Sequence, residues 1–149
     1  MRRLVRFARL AAWERRVLLR ALLLLPVSAV RIRRLGVRAS LSGPLPARRG
    51  VPDIDAQAIA QRVATLVHIA ARQGPFRASC LPICVTMHRL LRERGIAADV
   101  RVGVRKVGAR LEAHAWVERG GHALYDSERT HERFAPFEAP IARLPGAPR

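Results

Sequence analysis

SCLPICVTMHRLLRERGIAADVRVGV (residues 79–104) changes its period once, at Gly95. Before that glycine the segment reads as a helix. Ser79 offers its hydroxyl as an N-cap, Pro82 is tolerated in the first turn, and the helix is expected to run to Arg94. Gly95 supplies the left-handed stop. From Ala98 onward the period is two, with Val100, Val102 and Val104 alternating with Arg101, Gly103 and Arg105. That is the pattern of a half-buried strand.

Downstream, Leu111 to Glu118 and His122 to Asp126 read as two further strands, joined by Arg119-Gly120-Gly121. The tail from Ser127 is polar and then proline-rich, with Phe134 and Phe137 as docking anchors. Upstream, a helix from Asp53 or Asp55 to about Arg72 carries Ile59, Val63, Leu66, Val67 and Ala70 at helical spacing, and Gly74-Pro75 ends it. Arg9 to Leu25 reads as an earlier helix that Pro26 kinks or stops, followed by a short segment from Val27 to Leu35 ending at Gly36. Leu41 to Pro52, with three prolines and two glycines, is the clearest linker. Helices first and an antiparallel meander after them place the chain in the α+β class. The expected organisation is a basic, leucine-rich helical segment with its linker over 1–50 and a second unit over 51–149.

The two cysteines, Cys80 and Cys84, stand one helical turn apart. A disulfide at that spacing needs unusual geometry, so both are expected as free thiols, which favours a reducing cytoplasm. Cys80 falls at the helix start, where unpaired N–H groups and the helix dipole favour an anion and Arg77 adds positive charge. That is where a catalytic cysteine would be placed. Cys84, between Ile83 and Val85, fits a buried structural thiol better.

A thiol nucleophile needs an imidazole to take its proton and return it to the leaving amine. His114 lies mid-strand, sharing a face with Trp116 and Glu118. A third group must hold that imidazole, and the chain contains no Asn, so the orienter is an acid or a backbone carbonyl. If Arg119-Gly120-Gly121 forms a three-residue loop, Glu118 faces His122 and His114 stands opposite Asp126. A two-residue Gly-Gly turn would slip the register and part the pair. Glu112, Glu118 and Asp99 are lesser candidates for the same role. His68 reads as a core or seam residue, His88 as exposed or stacked, and His122 and His131 as loop surface.

Composition sets wider limits. The 149 residues are half hydrophobic, enough for a real core, and carry a formal net charge of +17. That balance points to an anionic partner: nucleic acid, an acidic membrane surface or an acidic peptide. Yet Lys106 is the only lysine and the arginines are spread along the chain, so no specific nucleic-acid interface is expected. The longest apolar run, Ala21 to Val30, is too short to cross a bilayer, although contact with a membrane surface stays open. No zinc-ligand spacing and no phosphate-binding glycine pattern occurs, and the chemistry calls for neither metal nor cofactor.

Ser79-Cys80-Leu81-Pro82, then Leu90 to Ile96, Val102-Gly103-Val104 and Ala113 to Glu118 together resemble the transglutaminase-like leader peptidases of lasso peptide biosynthesis. The resemblance spans roughly residues 55 to 127. It implies a papain/transglutaminase-like fold, with the cysteine at the start of a helix packed on an antiparallel sheet and an N-terminal helical segment. It maps the family's Cys, His and Asp onto Cys80, His114 and Asp126. It further implies a bacterial maturation protease that cuts the leader from a ribosomally made precursor peptide. A separate leader-recognition protein and an asparagine-synthetase-like cyclase are the partners it suggests. For the oxyanion it leaves the Cys80 backbone N–H, with Gln73 or Trp116 as further candidates.

Overall fold

The computed structural model describes residues 10–42, 53–125 and 130–137. Among these, three α-helices come first: α1 (Ala12–Leu41), α2 (Asp53–Gln73) and α3 (Cys80–Arg92). Strands β1 (Asp99–Val107), β2 (Arg110–Arg119) and β3 (His122–Ala123) follow, then a short 3₁₀ helix (Thr130–Arg133) and β4 (Ala135–Pro136). The sheet is antiparallel with order β3-β2-β1-β4. The architecture is α+β, as the change of period at Gly95 predicts.

The core forms where the helices meet one face of the sheet. Val63, Leu66 and Val67 of α2 and Val85, Leu90 and Leu91 of α3 are buried with Val100 of β1 and Ala115 and Val117 of β2. Val17, Ala21 and Leu25 of α1 belong to the same core. Alternation along β2 puts Ala115 and Val117 toward the helices. Trp116 is buried as well, with the His131 ring 6.0 Å from its own.

Polar ties set how the helices sit. Glu14 accepts the Ala11 backbone N–H at 2.7 Å at the start of α1 and pairs with Arg62 of α2. These two donors hold its carboxyl below the usual range, Arg62 most strongly. Arg20 of α1 donates to Glu93 beyond α3 at 2.8 Å. Ser28 and Thr86 share a hydrogen bond of 3.0 Å inside the α1–α3 seam. Arg92 donates to the Leu41 carbonyl at 2.9 Å, satisfying an orphan acceptor at the C-terminus of α1.

Several expectations need correction. α1 does not stop at Pro26 but runs through it, and its break comes at Gly36 (φ 78°, ψ 172°). An interior proline costs about 3 kcal/mol, while burying large apolar side chains returns about 1.5–3 kcal/mol each. Val17 and Leu25, on the face packed against α2 and α3, therefore outweigh it. The helix also continues to Leu41, where the linker was expected to begin; residues 43–52 lie outside the described residues. α3 ends at Arg92 rather than Arg94, and the Ser79 side chain makes no cap hydrogen bond.

Gly95 acts as expected: its φ is +69°, and Gly95 N–H to Arg92 with Ile96 N–H to Leu91 close a Schellman stop. The tail contributes a fourth strand that period-two reading missed. Phe134 is buried, whereas Phe137 anchors through its backbone N–H to the Val102 carbonyl and leaves its ring exposed.

Candidate active site

Cys80 is the first residue of α3, partly exposed, and Cys84 lies buried one turn deeper. The first N–H groups of a helix have no partner within it. Here Ile83 N–H reaches the Ser79 carbonyl and Pro82 has no N–H to satisfy, leaving the Cys80 and Leu81 amides as the donors at this end. Burial, and after it the nearby Cys80, pushes the Cys84 thiol far up. Cys84 is thereby held as a neutral thiol.

A cavity of about 330 Å³ opens at this helix end. Cys80, Ile83, Cys84 and Met87 of α3 line it, with His114 to Val117 of β2 opposite and His68, Arg72, Leu124 and Tyr125 closing its side. The structure thus brings Cys80 and His114 to one cavity. The His114 ring lies between Trp116, stacked at 6.1 Å, and Phe134, tilted at 5.2 Å. Gly103 pairs with His114 across the β1–β2 ladder and makes room for both neighbours. A Cβ there would stand 2.8 Å from the Ala135 carbonyl oxygen and 3.0 Å from Phe134 and Trp116.

The loop geometry offered for Asp126 is overturned. Arg119 pairs with His122 and Glu118 with Ala123, so Gly120-Gly121 is a two-residue turn. Both glycines take positive φ (57° and 78°), the primed turn whose twist matches the flanking strands. An unbroken ladder in that register would set the residue after Asp126 opposite His114. Among the described residues the pairing ends at Ala123, with one further bond from Leu124 N–H to Val117 at 2.8 Å, and Tyr125 turns left-handed at φ 55°. Cross-strand pairing therefore says nothing of Asp126, which lies outside the described residues.

Of the lesser acids, Asp99 does not line the cavity and the other two are engaged elsewhere. Glu112 pairs with Arg105, and Glu118 accepts the Trp116 indole N–H at 2.7 Å. Among the described residues no carboxylate lines the cavity. Of the oxyanion candidates, Gln73 is exposed and does not line the cavity, and the Trp116 N–H is committed to Glu118.

Sequence reading missed one wall of the site. Tyr125 holds its unusual backbone because α2 grips it three ways. Its N–H donates to Gln61 Oε1 at 3.2 Å, its ring stacks on His68 at 4.1 Å, and Arg72 lies 6.0 Å from that ring. A strained non-glycine residue is kept only where its surroundings over-determine it, often at functional sites. Gln61, His68 and Arg72 share a helix face, the one signal in the sequence. Their common partner is 53 to 64 residues away, which no local pattern records. His88 also departs from expectation: it is buried at 2 % exposure, with no hydrogen-bond partner for Nε2 among the described residues. Burial, and then Arg92, lowers its pKa from the ordinary 6.5 to about 4.

A family model described as the transglutaminase-like superfamily matches residues 1–139. The chain belongs to that superfamily. Its members are generally cysteine proteases or transferases, which suggests cysteine-protease-like or acyltransferase-like activity for this transglutaminase-like domain. No curated protein and no solved structure matches the chain.

Proposed function

We propose that this transglutaminase-like protein is a cysteine endopeptidase that removes the leader from a ribosomally synthesised precursor during lasso peptide maturation. The observation that carries the chemistry is the shared cavity: Cys80 at a helix start and His114 on the strand across from it. The substrate class is supported by the resemblance of the Cys80-Leu81-Pro82 and His114-Ala115-Trp116-Val117-Glu118 segments to the lasso leader peptidases.

In this reading the His114 imidazole takes the Cys80 proton and the sulfur attacks the scissile carbonyl. The Cys80 backbone N–H, at the open helix end, faces the developing oxyanion. The imidazolium gives its proton to the leaving amine, and the acyl-thioester remains on Cys80. Water, deprotonated by the same imidazole, then releases the acid and restores the thiol. Asp126 orients the imidazole; its support is that Tyr125, the residue before it, is held at the cavity wall. A separate leader-recognition protein delivers the precursor, and an asparagine-synthetase-like cyclase acts on the product. Both partners follow from the same resemblance.

The test is incubation of the purified protein with precursor peptide and the leader-recognition protein, read by mass spectrometry. A single cut is expected, lost in Cys80→Ala and kept in Cys84→Ala. Undiminished cutting by Cys80→Ala overturns the reading. A product carrying an added amine instead of water assigns the protein to the acyltransferases. A peptide bound but never cut makes it an adaptor.

A further inference from the structure

α1 has two opposite faces. Val17, Ala21, Leu25 and Ser28 form one line along it and are buried against the rest of the molecule. On the far side Leu19, Leu23, Val27 and Val30 form a second line, at spacings of four, four and three. These are exposed: Leu19 and Val30 by 50 %, Leu23 by 70 %, Val27 by 48 %. The line begins with Arg16, three residues before Leu19, and ends with Arg34, four residues after Val30. Arg33 is exposed on one flank; on the other, Arg20 is exposed but paired with Glu93. The only acid of α1, Glu14, is committed to Arg62.

Scattered exposed leucines need no explanation, but a continuous apolar line on the outward face of a helix costs solubility. From Arg16 to Arg34 it extends about 27 Å at 1.5 Å per residue. No helix among the described residues is long and apolar enough to cross a membrane. An apolar strip with exposed Arg16 at one end and Arg33 and Arg34 at the other is the make-up of a helix that lies in a membrane interface. There the side chains enter the acyl boundary and the guanidinium groups reach the phosphates. Arg2, Arg3, Arg6 and Arg9, with Leu4, Val5 and Phe7, extend that composition in the sequence before α1.

We infer that the outward face of α1 docks the protein onto an anionic lipid surface. The face is convex rather than grooved, and a net charge of +17 complements a negatively charged leaflet. The arginines at the ends of the strip, Arg16, Arg33 and Arg34, are exposed and all of one sign, suited to lipid phosphates. The inference rests on none of the cysteine chemistry.

Vesicle flotation of the full chain tests it, with phosphatidylcholine vesicles as control and phosphatidylcholine–phosphatidylglycerol vesicles as the anionic surface. The protein floats with the second and not the first. In the variant Leu19→Gln, Leu23→Gln and Val27→Gln binding falls by about tenfold or more, while circular dichroism is unchanged because glutamine suits an exposed helix. Arg16→Gln, Arg33→Gln and Arg34→Gln together weaken binding as well, whereas Cys80→Ala floats like the parent. Absence of flotation overturns the inference. Flotation untouched by the glutamine variant does so too, since net charge alone then suffices. A dimer in sedimentation equilibrium that this variant dissolves reassigns the face to a second copy. Loss of binding only to the leader-recognition protein reassigns it to that partner.

Discussion

At position 84 a thiol lies sealed beside the cavity floor, where burial raises its pKa; four residues earlier the same group stands at an open helix end. The difference is one of place, and the helix-start position of Cys80 was legible in the sequence. Its partners are subject to sharper tests. His114→Gln keeps the ring-sized volume but not the proton relay, and cleavage is expected to vanish with the fold intact by circular dichroism. Asp126→Asn is expected to lower kcat by on the order of ten-thousandfold, as loss of an orienting acid does. Wild-type turnover in that variant would leave orientation to a backbone carbonyl. Gly103→Ala crowds the Ala135 carbonyl, Phe134 and Trp116, which surround His114. We expect about 1–3 kcal/mol of lost stability from overpacking and a fall in kcat larger than that in KM. Thermal unfolding and steady-state kinetics check both.

Among elements, the α1–α3 seam is the contact most open to measurement. Ser28 and Thr86 bury one hydrogen bond, 3.0 Å long, between helices 58 residues apart in sequence. Thr86→Val leaves the Ser28 hydroxyl buried and unsatisfied, at a cost of about 1–3 kcal/mol. Ser28→Ala with Thr86→Val removes both partners and should recover most of that loss. A double-mutant cycle by urea unfolding reads the coupling; additive losses would mean the two hydroxyls are satisfied separately. Most of these elements were legible in sequence. The helix of Val63, Leu66, Val67 and Ala70, the stop at Gly95 and the strand through Val100 to Val104 all stand where their periods put them, although Gly103 is buried and Val102 and Val104 only partly so. What was not legible was how elements join. Two glycines accommodate a two- or three-residue loop equally well, and the strands on either side decide between them. β4 is only two residues long, too short for any period to show.

For the whole molecule, His88 makes stability depend on pH. Its folded pKa, about 4, is below the ordinary 6.5, so the unfolded chain takes up a proton that the native state refuses. Stability is full above pH 6.5 and falls as pH drops toward 4, after which this contribution saturates. A displacement of that size corresponds to about 3 kcal/mol between the two limits. Urea midpoints measured across this window should show the slope, and His88→Leu should flatten it. Because Nε2 has no described partner, the same variant should cost little at neutral pH. A slope unchanged in His88→Leu would assign the acid sensitivity to carboxylates such as Glu14.

Residue order alone determined the α+β class, the place of Cys80 at a helix start and the stretches that carry the family resemblance, because period and turn chemistry act over a few residues. Tertiary structure decided the rest: that α1 passes through Pro26, that His88 is buried, that Gly120-Gly121 turns in two residues, and that Cys80 and His114 share a cavity. Each of these depends on what a distant segment packs against. A proline is kept in a helix by the burial around it, and a strand's register by its neighbours. Local sequence specifies which side of an element is apolar, and only packing specifies what that side meets.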